Sequence, residues 1–151
     1  MAIELVTKPF GKIQISDKQL IYFRDGLLGF EMQKQYALIE DSPDNPFKWL
    51  QSTENTDLAF VIMQPQLFSP KYIPSIPEND LVDIKLDTLD AALILTIVTI
   101  PPDDPSKMTA NLQGPVIINP ELSLGRQCIS RNESHSVRTK ILECYSLLEK
   151  I

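Results

Sequence analysis

The sequence predicts a mainly β fold: a small antiparallel β-barrel with short helical turns and one C-terminal helix. Three observations predict it. Short β-branched and aliphatic runs alternate with clusters of Gly, Pro, Asn and Asp, the punctuation of strands joined by tight turns. One run, Ala91-Ala92-Leu93-Ile94-Leu95-Thr96-Ile97-Val98-Thr99-Ile100, is almost unbroken and ends at Pro101-Pro102, as in a strand covered on both faces. Helical periodicity is confined to small pieces and the tail. Closing the sheet into a barrel removes exposed edges and encloses the apolar run, although a sandwich would satisfy the same pattern.

The elements follow in order. Residues 3–6 predict a short strand, and Gly11-Lys12-Ile13-Gln14-Ile15-Ser16 alternates strictly, with Ile13 and Ile15 inward. Residues 19–23 continue the sheet into Gly26-Leu27-Leu28-Gly29-Phe30-Glu31, which lacks the GxGxxG or Lys-Ser/Thr of a phosphate loop. It predicts a tight turn that plugs Leu28 or Phe30 into the core. Residues 35–40 form the next strand, closed by the polar cluster 41–46. Strands at 47–52 and 58–63 pair across the turn 54–57. Pro65, Pro70, Pro74 and Pro77 make residues 64–77 an irregular, stiff surface segment, and residues 77–86 hold one or two helical turns with acids near the start.

After the central run, Met108-Thr109-Ala110-Asn111-Leu112 returns with Met108, Ala110 and Leu112 on one face. Gln113-Gly114-Pro115 kinks the chain and Val116-Ile117-Ile118-Asn119 resumes it. Residues 121–125 suggest a short helical turn and residues 126–130 the last strand. Val137, Ile141, Cys144, Tyr145, Leu148 and Ile151 recur at three- and four-residue steps, an amphipathic helix capped by Ser134 or Ser136 and ended by Lys150. The expected organisation is a barrel over residues 1–133 and a helix over 134–151 packed on the same domain.

Composition narrows function. The 151 residues suit one domain with a sizeable core. A formal net charge of −6 argues against nucleic acid and against an anionic membrane surface as partners. No apolar stretch is long enough to span a bilayer and no signal peptide precedes the first strand, so a cytoplasmic protein is expected. Cys128 and Cys144 form no CxxC and read as small buried hydrophobes. With His135 the single histidine, a His-based triad or two-His metal site cannot form within the chain. No enzyme activity, metal or cofactor is expected.

The residues carry a resemblance. Gly26-Leu27-Leu28-Gly29-Phe30-Glu31, Pro46-Phe47-Lys48-Trp49-Leu50-Gln51-Ser52 and Leu58-Ala59-Phe60-Val61 resemble the opening landmarks of the flagellar assembly factor FliW family. Ile97-Val98-Thr99-Ile100-Pro101, Met108-Thr109-Ala110-Asn111-Leu112, Gly114-Pro115-Val116-Ile117-Ile118-Asn119 and Gly125-Arg126-Gln127 continue it in the same order. The resemblance departs near the end, where His135 stands in place of a Tyr before Arg138. It implies a non-enzymatic cytoplasmic β-barrel, monomeric when free, that binds flagellin before export. When released, such a protein binds the translational repressor CsrA and antagonises it allosterically, relieving repression of flagellin mRNA. The acidity of this chain suits a basic, RNA-binding partner.

Candidate partner contacts follow. Phe47, Trp49 and Gln51 share one face of their strand by period two; facing outward they would anchor flagellin, facing inward they are core. Glu54, Asp57, Asp103 and Asp104 are candidates for basic CsrA residues, with solvation the plainer explanation. Thr109 and Asn111, the polar pair of the return strand, and Asn119 complete the set. Two rival classes remain: a barrel whose enclosed apolar cavity binds a hydrophobic small ligand, and an oligonucleotide-binding barrel, which the scattered lysines disfavour.

Overall fold

The computed structural model describes residues 2–149, with side chains through Tyr145. An N-terminal hairpin pairs β1 (Ala2–Thr7) with β2 (Gly11–Ser16). The chain then runs through β3 (Leu20–Phe23), β4 (Gln35–Ile39), β5 (Lys48–Ser52) and β6 (Ala59–Met63) as successive antiparallel neighbours. A crossover containing helix α1 (Glu78–Asp83) leads to β7 (Leu93–Thr99), which pairs with β6. β8 (Thr109–Ala110), β9 (Val116–Asn119) and β10 (Leu124–Gln127) follow, then β11 (Thr139–Lys140) and helix α2 (Ile141–Glu149). β9 pairs with both β7 and β10, and β10 lies parallel to β3, so strands β3, β4, β5, β6, β7, β9 and β10 close a seven-strand barrel.

The central run forms β7, covered on both faces. Leu93, Leu95 and Ile97 pack inward with Phe23, Tyr36, Leu50, Ile62 and Ile118, while Ile94 and Val98 pack outward into other clusters. β8 and β9 together are its return strand. Between the pairs Val98–Ala110 and Leu95–Val116, three steps along β7 face six on the return side. The excess is the kink at Gln113-Gly114-Pro115, so strand pairing in the 108–112 stretch is limited to Thr109–Ala110.

Three coats cover the barrel's outer face. The hairpin β1–β2 packs Leu5 and Ile15 on Ala37 and Ile39. The crossover packs Leu81, Ile84 and Leu86 on Ile117 and Cys128. The C-terminal segment packs Ile141 with Met63, Phe68, Tyr72, Val98 and Leu112. This last contact shows how the amphipathic stripe is used, but the helix starts later than expected. Ser134 and Ser136 close turns before β11 through Asn132 and Arg138, and Val137 lies exposed in one of those turns. Leu148, as a side chain, and Lys150 and Ile151 lie outside the described residues. Residues 121–123 form a turn with Ser123 at φ 55° rather than a helical turn, and β10 begins at once at Leu124.

Strand register sorts the loops. β4 starts beside the end of β5, β6 starts beside the end of β7, and Gly125 lies beside Phe23. Loops 24–34, 53–58 and 100–108 therefore leave the barrel at one end. The β4–β5 loop, the start of the crossover and the turn 120–123 leave at the other. Two coats reach this first end at its margins, where Asp83 of α1 meets Arg24 and α2 lies against Pro105–Lys107, while the turn 26–33 carries neither.

Candidate functional site

The uncovered end is built around the turn after β3. Gly26 sits at φ +66°, and a Cβ there would lie 2.6 Å from Cα of Glu31, so only glycine closes this turn. The left-handed step turns Leu27 inward to full burial, leaving Leu28 54% and Phe30 43% exposed. This corrects the expectation that Leu28 or Phe30 is the plug. Phe30 instead lies edge-on across Phe60, with ring centroids 5.2 Å apart. Met32 is 82% exposed.

Several ties hold the turn in place. Gln127 Oε1 accepts from the Leu28 N–H at 2.9 Å while its Nε2 donates to the Gly114 carbonyl at 2.9 Å. Asn111 Oδ1 accepts from the Gly114 N–H at 2.8 Å, and a Cβ on Gly114 would press on both amides at 3.0 Å. The glycine-framed turn, the kink and the Gly125-Arg126-Gln127 stretch thus meet at one staple. On the other side Glu54 Oε1 accepts from the N–H groups of Lys34 (2.9 Å) and Gln35 (3.2 Å), which holds its carboxyl below the usual range. Ser52 Oγ bonds Gln33 Oε1 at 3.1 Å.

The structure distributes the sequence-predicted contacts unevenly. Phe47 is half-buried and packs against the cluster of Met63 and Phe68. Trp49 and Gln51 do point away from the barrel interior, but the N-terminal hairpin covers them. Trp49 meets Phe10 edge-on at 4.9 Å. Gln51 is 0% exposed, accepts from the Lys8 N–H, and offers Nε2 to the carbonyls of Ser52 (3.0 Å) and Thr56 (3.0 Å). That corrects Gln51 as a contact residue: its amide is spent inside the protein. Asn119, 5% exposed, is corrected likewise, since Nδ2 donates to the Ile84 carbonyl at 2.9 Å and Oδ1 caps the turn at Glu121.

Thr109 is half-buried between β7 and β11, and the Asn111 oxygen serves the kink. Asp104 caps the turn Pro105–Lys107 through the Ser106 N–H at 3.1 Å. Glu54, Asp57 and Asp103 are exposed at the uncovered end. Sequence reasoning missed Leu28, Phe30, Glu31 and Met32 as surface groups. The available signal was the glycine pair, which breaks strand alternation and so voids any inward–outward assignment by period.

Not all acids of this region are free. Arg126 on β10 reaches Asp83 at 2.6 Å, Asp25 at 3.0 Å and Asp80 at 3.3 Å, and Arg24 lies 3.3 Å from both Asp25 and Asp83. This network ties α1 to the barrel. Lys34 Nζ donates to the Arg24 carbonyl at 2.6 Å. Arg24 and Arg126 are thus paired with acids, Lys34 and Lys107 keep their charge, and Glu31, Asp57 and Asp103 leave the face with more acids than bases.

The barrel is filled by side chains, which argues against the hydrophobic-ligand reading. Among the described residues no three His, Cys, Asp or Glu side chains converge as a metal site, and no helix is long and apolar enough to cross a membrane. Burial pushes the Cys128 thiol up to about 12 and raises Cys144, so neither is an activated nucleophile. His135 packs at a tilt against Tyr72, ring centroids 4.7 Å apart, and meets Ser130 Oγ through Nδ1 at 2.9 Å, and burial lowers its pKa.

The sequence profile of the family described as FliW protein matches residues 4–141. The chain is similar to a flagellar assembly factor FliW of Leptospira interrogans, with 57% identity covering 95% of each chain. It is 40% identical to one of Thermoanaerobacter pseudethanolicus, over 93% of this chain and 94% of that one. A crystal structure of the flagellar assembly factor FliW superposes with a TM-score of 0.82 at 30% identity, covering 92% of this chain and 96% of that one.

Proposed function

The chain belongs to the FliW family, and on that premise we propose that it serves flagellar assembly as a cytoplasmic protein-binding switch. It binds flagellin before export. When flagellin leaves, the freed protein binds the translational repressor CsrA and antagonises it allosterically, so that flagellin mRNA is translated. No reaction is performed; preferential binding of each partner in the other's absence makes the switch by mass action.

The observation that carries this reading is the uncovered barrel end. It presents exposed apolar side chains within a rim of unpaired carboxylates on a body whose interior is filled. A filled, acidic, locally apolar surface suits a protein partner with positive charge better than a small molecule or nucleic acid. Co-purification with flagellin and with CsrA, followed by competition, tests it. Each partner is expected to be retained alone, with excess flagellin displacing CsrA. Purified protein that retains neither overturns the reading.

A further inference from the structure

Resting on the reading of this chain as a protein-binding module, we propose that the turn 26–33 is the anchor of its docking face and seats the apolar stripe of a basic amphipathic helix. Leu28, Phe30 and Met32 stand out of one short turn, exposed by 54%, 43% and 82%. Gly29, Phe30, Glu31, Met32 and Gln33 line a shallow hollow of about 390 Å³, room for apolar side chains from a partner. The backbone beneath is fixed by Gly26, by Gln127 and by Glu54. Little order remains to be imposed on binding, so apolar contact converts into affinity with a small entropic loss.

Charge selects the occupant. Glu31 lies in the turn, with Asp57 and Asp103 on neighbouring loops at the same end. Arg24 lies between Asp25 and Asp83, Lys34 keeps its charge on the Arg24 carbonyl and Lys107 lies 4.0 Å from Asp104, so acids outnumber bases on these loops. An incoming acidic segment meets repulsion, whereas lysines or arginines flanking an apolar stripe meet free carboxylates. Form selects it too. The barrel is closed and β8 is flanked by β7 and β11, so the one sheet edge near this face is the two-residue β11, too short to template an added strand. A helix, which satisfies its own backbone and brings only side chains, fits such a face.

The test uses the full chain, a leucine–lysine amphipathic helical peptide as probe, and purified flagellin and CsrA. Leu28→Asp/Met32→Asp is compared with Leu122→Asp, whose site is 53% exposed at the opposite end. The double variant should keep the parent's melting temperature and bind the peptide at least about 30-fold more weakly, as for loss of interface hot spots. Leu122→Asp should bind it as the parent does. If the double variant loses stability, Met32→Asp alone and Glu31→Lys replace it, the latter weakening binding at low salt only. A parent that ignores the peptide, or variants that bind it undiminished, overturns the anchor. Loss of the anchor while the parent still retains flagellin and CsrA leaves the proposed function standing. Peptide binding by a parent that ignores both proteins removes that function but keeps the anchor.

Discussion

Trp49 and Phe30 are both aromatics outside the barrel interior, yet they live in opposite circumstances. The flank that carries Trp49 is roofed by the N-terminal hairpin, which brings Phe10 onto the indole and the Lys8 N–H onto Gln51. The end that carries Phe30 has no roof; Phe60 supports one edge of its ring and solvent meets the rest. Pointing away from a barrel is therefore not the same as being available. What decides is whether a distant segment returns to cover the face, and a closed sheet with three coats leaves one end for partners.

The largest expected effect lies on the roofed flank. Trp49→Ala removes the aromatic contact that docks the hairpin, and should cost about 2–3 kcal/mol, less than a fully buried tryptophan because the ring is only partly buried. That is a fall of roughly 5–10 °C in a calorimetric scan for a domain of this size. Partner affinity measured well below the new melting temperature should not change. A stable variant with lost flagellin binding would reverse the comparison and make Trp49 the anchor.

Gln51→Leu comes next. Its amide meets the carbonyls of Ser52, Asn55, Thr56 and Leu58, which hold the turn bearing Glu54 and Asp57. An apolar side chain of similar size leaves the Thr56 carbonyl and the Lys8 N–H without this partner, at about 1–2 kcal/mol. The Asn55 and Leu58 carbonyls keep the backbone donors of Leu58 and Ser52. This variant couples the two regions, because the damage starts under the roof and emerges at the bare end. Faster hydrogen exchange at residues 53–58 and at the Lys8 N–H, with the β1–β2 ladder still protected, is the expected signature.

The same contrast explains how far the sequence could be read. Runs such as 93–99 carry strand identity in their β-branched residues, and the Asp25-Gly26 and Asn55 turns mark their limits, so the barrel was legible. The roofs were not. That Trp49 faces a second core depends on residues 3–15 folding back over β4 and β5, a contact between segments at least twenty positions apart that no local pattern encodes. Among site residues, exposed acids on loops were legible from composition and turn chemistry. Gln51 and Asn119 were not, because a polar side chain buried against loop carbonyls has the same local signature as one facing water. The apolar turn was hidden for a different reason: a left-handed Gly26 breaks the period on which inside and outside are assigned.

On the bare end, charge reversal should change binding without changing the fold. Asp57→Lys/Asp103→Lys alters two exposed carboxylates that cap no turn, and moves the net charge from −6 toward zero. Stability should stay within about 0.5 kcal/mol. CsrA binding should weaken several-fold at low salt, with the difference fading as salt is raised. Unchanged affinity at low salt would take the acidic rim out of the interface. Adding Asp104→Lys would instead uncap the turn Pro105–Lys107 and lower stability as well, which separates a docking acid from a structural one.

The smallest effect is a dependence on pH that belongs to the roofed regions alone. Ser130 Oγ accepts from the N–H groups of Ser75 (3.0 Å) and Asn132 (3.4 Å), so its own proton is directed at His135 Nδ1, which must then be unprotonated. Burial lowers the His135 pKa below its ordinary 6.5 for the same reason: the cation loses water and gains no acceptor. With the folded value below the unfolded one, the unfolded chain takes up the proton first. Stability is therefore full above the unfolded value, near 6.5, and declines as the pH falls below it until the folded value is passed. Glu54 at the bare end is likewise lowered from a carboxylate's ordinary value, by the Lys34 and Gln35 N–H groups, so it stays ionised through this window. Melting temperatures should fall modestly from pH 7 to 5.5, with exchange rising around residues 72–75 and 130–136 and not at 26–34. His135→Gln should flatten that slope, and a slope that survives the substitution would place its origin elsewhere.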